Sequence, residues 1–513
     1  MTDPILPPVI QAMLTPEFYP HPVTAPISLI QTHISYILLT GEYAYKVKKP
    51  MNFGFLDYST LEKRQHFCQE ELRLNQRGAA GLYLEFFAVV QVGDRLQLSQ
   101  PDLVTPDQIV VDYGVKMRQF PQDTLLTSLY ERGELTEALI ADLARAIAQF
   151  HARSETNDYI RTFGTIPAIR ESIDENYDQT EQYIGGPQTQ IQFDETRAYT
   201  DRFFATQEAL FARRVAQHRI RECHGDLHLR NICFWENQLW LFDCIEFNEP
   251  FRFVDVMFDI AYIVMDLAVR DATALSAVFL NTYLEQTGDW EGLFVLPLYV
   301  SRQTYVRAKV TSFLLGDPAV PEADKQTASE TAAFYYRLAW QYSQPKQGRL
   351  ILMAGLSGSG KSTTARTLAK QWNAIHIRSD AVRKHLAGIP LHHRGGDELY
   401  TPEMTQTTYH RLLELGVQLA QAGYTVILDA KYDRQSLRQE AIAQAQSHQI
   451  PLHILHCTAP ESVLIQRLQA RTNDIADATV DVLAKQTFEG FAPQEQALVT
   501  VVDTTQPIDV QLQ

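Results

Sequence analysis

No stretch of this sequence reaches the roughly 18 consecutive apolar residues that a membrane-spanning helix needs. The first residues, Met1 to Pro8, lack the basic segment and apolar core of a secretory leader. Cysteine is scarce, and Cys68, Cys223, Cys233, Cys244 and Cys457 form no Cys-x-x-Cys pair. Such a scattered, odd-numbered set argues against a disulfide framework and fits reduced thiols in a cytoplasm. Metal-site spacing is missing too, although Cys223, Cys233 and Cys244 lie near one another in the chain. No internal repeat and no low-complexity tract is found.

Positive charge is the other deficit. Lys and Arg total 45 against 61 Asp and Glu, a formal net charge of -16. Residues 346–513 carry 16 of each sign, so the remaining 29 basic and 45 acidic residues, and with them the whole excess, lie before that point. An acidic N-terminal part favours solubility and repels nucleic acid. The balanced C-terminal part has no basic run with interleaved aromatics, so nucleic acid is not an expected partner there either. At 513 residues, with 45% hydrophobic and 21% charged, the chain reads as a soluble globular protein of two or three domains.

What is present is two separate phosphate-handling patterns. The order of elements around them suggests an α+β two-lobed kinase-like domain over 1–340, a polar linker over 341–348, and an α/β P-loop domain with a parallel sheet over 349–513. In the first part, Ile34 to Lys48 predicts two strands around Thr40-Gly41-Glu42, and Leu84 to Leu98 predicts two more joined at Gly93-Asp94. A helix is expected over Leu61 to Arg77, with further helices over Leu135 to Ala152, Glu195 to Gln217 and Val254 to Val269. In the last part, short apolar strands at Arg349 to Ala354, Ala374 to Arg378, Thr425 to Asp429 and Leu452 to Cys457 alternate with helical stretches.

The first pattern is His224-Gly225-Asp226-Leu227-His228-Leu229-Arg230-Asn231, followed by Asp243 at the end of a strand. Phosphoryl transfer needs a carboxylate to take the acceptor's proton and Mg²⁺ on the phosphates. Asp226 precedes Asn231 by the five residues that separate a kinase catalytic aspartate from its metal-binding asparagine. Upstream, Lys46 has the setting of the lysine that grips the α- and β-phosphates, with Lys48 on the same strand face as the alternative. Its partner on the following helix is expected to be Glu71, or else Glu70. Asp255 and Asp259 read as braces of the catalytic loop, His151 as a packed residue, and Glu246 as a possible contact to metal or substrate.

These residues resemble the aminoglycoside phosphotransferase family, a branch of the protein-kinase-like fold. The resemblance spans residues 30–335, with its dense motifs in 224–266. It implies Asp226 as catalytic base, Asn231 and Asp243 as magnesium ligands, and Val115 to Phe120 beside the adenine. The glycine-rich loop that often precedes the lysine is reduced here to Gly41.

The second pattern, Gly355-Leu356-Ser357-Gly358-Ser359-Gly360-Lys361-Ser362, satisfies the P-loop spacing in full, with Thr363 next. Backbone N–H groups freed by the glycines wrap phosphate, Lys361 neutralises it, and the Ser362 hydroxyl ligates Mg²⁺. Asp380, following the second strand, is placed to deprotonate an acceptor hydroxyl. Asp429, ending a further strand, is a Walker-B-like magnesium candidate. This region resembles the small P-loop kinases that include polynucleotide kinase and gluconate kinase. The resemblance implies Asp380 as general base, Arg383 as the acceptor clamp, and Arg467 and Arg471, one turn apart on a helix, as lid arginines.

Together these readings give a bifunctional ATP·Mg²⁺-dependent kinase whose acceptors are hydroxyls of small metabolites. Two alternatives stand beside it: a non-catalytic first domain that regulates the second, and an ATPase switch acting on a protein. The sequence carries no signal for acceptor identity or oligomeric state.

Overall fold

The computed structural model describes residues 6–24, 26–472 and 474–511. The chain divides into two compact units. The first comprises Met1–Leu135, Gln149–Glu175 and Thr206–Ile263, and the second Thr136–Ala148, Asn176–Ala205 and Val264–Gln513.

The first unit is built on a six-stranded antiparallel sheet of order β1-β2-β3-β6-β4-β5. Its strands are β1 (Ser28–Gln31), β2 (Ser35–Leu39), β3 (Tyr43–Lys48), β4 (Tyr83–Val92), β5 (Arg95–Ser99) and β6 (Ile109–Arg118). The two expected hairpins are therefore both present. The period-2 pattern of β3 sends Tyr45 and Val47 into a core with Ile10, Met13, Phe18, Leu38 and Phe87. Lys46 and Lys48 emerge on the opposite face, toward the helix Leu61–Ala79, where both are buried. The side chain of Thr60 starts that helix by accepting the Lys63 N–H.

Further along the same unit, β7 (Ile220–Glu222) pairs with β10 (Phe253–Asp255), and β8 (Ile232–Trp235) forms a hairpin with β9 (Gln238–Leu241). Glu236 and Asn237, the two turn residues, have φ of 52° and 58°, the left-handed pair that a tight hairpin turn demands. The helix expected over Glu195 to Gln217 is instead two helices, Gln190–Thr206 and Glu208–Ala216. Gln207 leaves helical geometry (φ -114°, ψ 22°) between them, and no glycine or proline marks the break.

The second unit holds a parallel sheet of order β12-β13-β11-β14-β15. The strands are β11 (Arg349–Ala354), β12 (Ile375–Arg378), β13 (Thr425–Asp429), β14 (Leu452–Thr458) and β15 (Val499–Asp503). Continuous apolar runs in β11 and β13 fit strands covered on both faces. The helix Lys361–Trp372 covers one face with Ala365, Leu368 and Ala369. On the other, the helix Pro402–Gln421 brings Gly416 against Leu350 and Leu428. Two long helices, Leu296–Gly316 and Glu322–Ser343, pack together, and residues 344–348 lead from the second into β11. No helix of the described residues is long and apolar enough to cross a membrane.

A buried ion pair lies within this unit: Arg438 Nε is 2.9 Å from Glu495 Oε1, with both side chains at 0% exposure. The guanidinium also donates to the carbonyls of Tyr432, Glu489 and Gly490. Glu495→Ala leaves that buried charge uncompensated and is expected to cost about 3–5 kcal/mol, read as a lower urea midpoint for this unit.

Two candidate active sites

In the first unit the catalytic-loop backbone is held from below by one carboxylate. Asp259 Oδ1 accepts the Gly225 N–H at 2.8 Å, and Oδ2 accepts the His224 N–H at 3.0 Å and lies 3.0 Å from His151 Nε2. Asp259 is fully buried, and although burial pushes its pKa up, these bonds hold it below the usual carboxylate range. Gly225 has φ 87°, and a Cβ there would come 2.7 Å from the Phe251 carbonyl. His151, Cys223 and Asp259 lie close enough to suggest a metal cluster, but the Asp259 oxygens are already taken by backbone donors. Asp255, expected to share the bracing, instead forms a buried pair with Arg214 and caps the Met257 N–H. It sits on β10 rather than on the helix that carries Asp259.

Above this brace the predicted residues come together. The Asp226 carboxylate is 34% exposed, its Oδ2 3.2 Å from His228 Nε2. Asn231 Nδ2 donates to the Asp226 carbonyl at 3.0 Å and to Oδ2 at 3.3 Å. Asp243, with φ 65°, turns its half-exposed carboxylate to Lys46, Nζ to Oδ1 being 2.7 Å. Lys46 also lies 2.7 Å from Glu71 Oε1, while Glu70 pairs with Arg73 on the helix surface. Phe120 packs its ring 5.2 Å from that of Phe242, next to Asp243.

Lys48 is not idle. Its ammonium is 2.6 Å from Glu71 Oε2 and also bonds Glu246, whose Oε1 accepts the Tyr58 hydroxyl at 2.5 Å. Thus Glu71 is shared by both lysines, and Glu246 anchors the deeper one. Burial opposes charge on Lys46, but Asp243 and Glu71 outweigh it and hold its pKa well above the ordinary value. The Tyr58 contact had no signal in the sequence, because it depends on a loop folding back across β3.

The second site surrounds a cavity of about 860 Å³ lined by Gly358, Gly360, Lys361, Ser362, Thr363, Asp380, Arg383, Asp429, Arg467 and Arg471. Gly355 and Gly358 have φ of 138° and 81°, and a Cβ on either would meet a carbonyl, of Cys457 at 2.4 Å or of Leu464 at 2.7 Å. Only glycine permits this loop. Lys361 Nζ donates to the Leu356 carbonyl at 2.8 Å, and burial lowers its pKa despite Asp429 nearby. Arg471 Nη1, which lines the cavity, is buried without a protein partner. An orphaned donor of this kind suits a phosphate oxygen.

Asp380 is half-buried, and its desolvation raises its pKa although Arg378 opposes the shift. It occupies the second position of the helix Ser379–Leu386, and Arg378, not Asp380, is the N-cap residue. Arg383 Nη1 donates to the Leu399 carbonyl at 2.7 Å, leaving Nε buried and unpartnered. Asp429 accepts from His376 Nε2 at 3.0 Å and stays well below the usual carboxylate range, burial being outweighed by His376. Arg467 donates to the Gly358 and Thr504 carbonyls and so lies against the P-loop. It stands in the last turn of the helix Glu461–Gln469, whereas Arg471 lies beyond that helix's end, because the backbone departs from it after Ala470. Gln486 was not foreseen: it accepts the Ser357 N–H and donates to the Ser357 hydroxyl, both at 3.0 Å. A single glutamine more than a hundred residues from the loop carries no sequence pattern.

Oxygen donors suit Mg²⁺, and both sites present them: the half-exposed Asp243 with Asn231 in one, Ser362 with Asp429 in the other.

Residues 117–294 match the phosphotransferase enzyme family model, and residues 350–491 match that of an AAA domain. The chain thus carries two kinase-type domains, one that matches the phosphotransferase model and one with a P-loop, and is an ATP-dependent kinase. An uncharacterized protein of Mycobacterium tuberculosis (strain ATCC 25618 / H37Rv) is 29% identical over 472 residues, 90% of each chain. Among solved structures, a gluconokinase from Sinorhizobium meliloti 1021 is 24% identical, covering 33% of this chain and 87% of its own, at a TM-score of 0.24. An aminoglycoside 2'-phosphotransferase-IIIa in its GDP complex is 11% identical, covering 64% and 98%, at a TM-score of 0.41. Likenesses at that level assign no substrate.

Lys46→Ala is expected to cut first-site turnover about 100-fold. Lys48→Ala, which strands buried Glu246, should lower the melting temperature itself. For the second site, Asp380 would have to be ionised to take the acceptor's proton, so activity is expected to be lost as pH falls through its folded pKa. Because burial raises that pKa, the acid limb of the pH–rate profile should lie above the ordinary aspartate value of 3.8, and Asp380→Asn should remove activity across the whole profile.

Proposed function

We propose that the chain is a bifunctional phosphotransferase, each domain moving the γ-phosphate of ATP to a hydroxyl of a small metabolite. The observation that carries this is that each site has its own full set: a lysine for phosphate, oxygen donors for a metal, and a separate carboxylate for the acceptor's proton. In the first, Lys46, Asn231 with Asp243, and Asp226 take these roles. In the second they fall to Lys361, Ser362 with Asp429, and Asp380, with Arg383 holding the acceptor and Arg467 and Arg471 closing on the phosphates.

In either site the acceptor oxygen bonds the γ-phosphorus while the bond from that phosphorus to the β-phosphate oxygen breaks, releasing ADP. The acceptor's proton passes to Asp226 or Asp380. Mg²⁺, when bound, neutralises phosphate charge. Lys46 is kept cationic by Glu71 and Asp243 and needs no phosphate to stay charged. Lys361 donates to a backbone carbonyl, with Asp429 and Asp380 as the nearby charges that favour its ammonium form, and a bound phosphate would add to them. Five buried free cysteines fit a reducing, cytoplasmic setting.

Transfer from labelled ATP into a fractionated metabolite extract tests this directly. Asp226→Ala should remove one labelled product and Lys361→Ala another. A single product, lost only in Lys361→Ala, would make the first domain a nucleotide sensor and end the bifunctional reading.

A further inference from the structure

The helix Thr273–Thr287 lies inside the stretch that matches the phosphotransferase family, yet it packs against the P-loop sheet. In sheet order β12 is an edge strand, so one row of its backbone donors and acceptors has no strand to pair with. Asn281 of the helix fills that place. Its Nδ2 donates to the Ala374 carbonyl at 2.9 Å and its Oδ1 accepts the His376 N–H at 2.7 Å, as a neighbouring strand would. Four residues on, Glu285 Oε2 stands 3.7 Å from Arg378 Nη1, and the Glu285 carbonyl is 2.8 Å from His385 Nε2.

Those attachment points are not ordinary surface. His376 is the residue that bonds Asp429, and Arg378 is the residue before the helix that begins Ser379-Asp380. Arg378 is 4% exposed, lines the cavity, bonds Asp474 through Nη2, and leaves Nε buried without a partner. The same segment adds three more ties: Glu291 Oε1 to Arg411 at 2.5 Å, the Leu293 carbonyl to the Tyr424 hydroxyl at 2.8 Å, and the Trp290 ring 5.6 Å from His385.

The geometry points to a working role for this helix in the P-loop active site: Asn281 and Glu285 are positioning residues for second-site phosphoryl transfer. Asn281 sets the height of the strand that carries His376 and Arg378. Glu285 shares Arg378 with Asp474 and fixes the direction of its guanidinium at the acceptor side of the cavity. The P-loop kinase therefore extends beyond its family match and borrows a helix from the preceding one. This rests on the second site being a kinase, as proposed above.

The test uses the full chain with Asp226→Ala to silence the first site, and reads Lys361-dependent turnover of labelled ATP with the metabolite extract. Misplacing a positioning group by about 1 Å costs on the order of 10- to 100-fold in rate, so Glu285→Gln should lower single-turnover transfer about 10-fold. Binding of a fluorescent ATP analogue should stay unchanged, and Glu285→Asp should restore most of the rate. A purely structural contact would lower the melting temperature and leave the rate alone, and a Glu285→Gln rate within about twofold of the parent overturns the role of Glu285. A second readout is amide hydrogen exchange over residues 374–380, which should speed up in Asn281→Ala. No change there overturns the strand-setting role. If the parent itself shows no Lys361-dependent turnover, the kinase reading of the second site fails, and the exchange experiment still decides whether the helix holds the strand.

Discussion

An ammonium group stays charged inside a protein only with negative charge beside it, and both sites are built around that requirement. In the first, Glu71 serves two lysines at once, one per carboxylate oxygen, and Glu246 and Asp243 complete the set. The result is a buried row of alternating charge that fixes β3, the helix Leu61–Ala79 and the loop after β9 relative to one another. In the second, Lys361 leans on a backbone carbonyl and has its pKa lowered by burial. In the first site the lysine is bonded to carboxylates, whereas in the second Lys361 is bonded to a carbonyl with Asp429 and Asp380 nearby, which leaves its ammonium group available to an incoming anion.

Each catalytic segment depends on groups that never touch a reactant. Asp259 holds two consecutive N–H groups of the His224-Gly225 turn, so Asp226 presents its carboxylate from a backbone that cannot shift. In the P-loop, Gln486 plays a comparable part at Ser357, and Arg467 ties Gly358 to Thr504. Carbonyls crowding Gly355 and Gly358 keep the loop narrow. Rigid surroundings of this sort are how a site stays ready for phosphate without rebuilding itself at each turnover.

Compact units and family matches do not share boundaries here. The phosphotransferase match runs to residue 294, while the second unit takes in Asn176–Ala205 and everything from Val264 onward. The edge of a parallel sheet supplies the reason. An uncovered edge strand invites wrong pairing, and covering it with a helix from the preceding sequence satisfies its polar groups.

Much of this was legible in the chain itself. Spacing alone grouped Asp226, Asn231 and Asp243, and the glycines of the P-loop announced its strand–loop–helix setting, because those chemistries demand fixed residue types at fixed local distances. Period-2 and apolar runs located β2 to β5 and β11 to β14, whereas β6 was not read from the sequence. Local pattern misled at Gln207, where the helix breaks without a breaker residue, at Asp255, whose neighbour Asp259 alone braces the loop, and at Arg471, which falls beyond its helix. It could not find Tyr58 over Glu246, Gln486 at Ser357 or Asn281 along β12, since each joins residues far apart in the chain through single side chains. The sequence by itself determined the two phosphate-binding chemistries and the classes of fold that carry them. Which lysine meets Glu71 and Asp243, which carboxylate holds the catalytic loop, and which helix closes the P-loop sheet were decided only by tertiary packing, because long-range pairs leave no period or spacing to read.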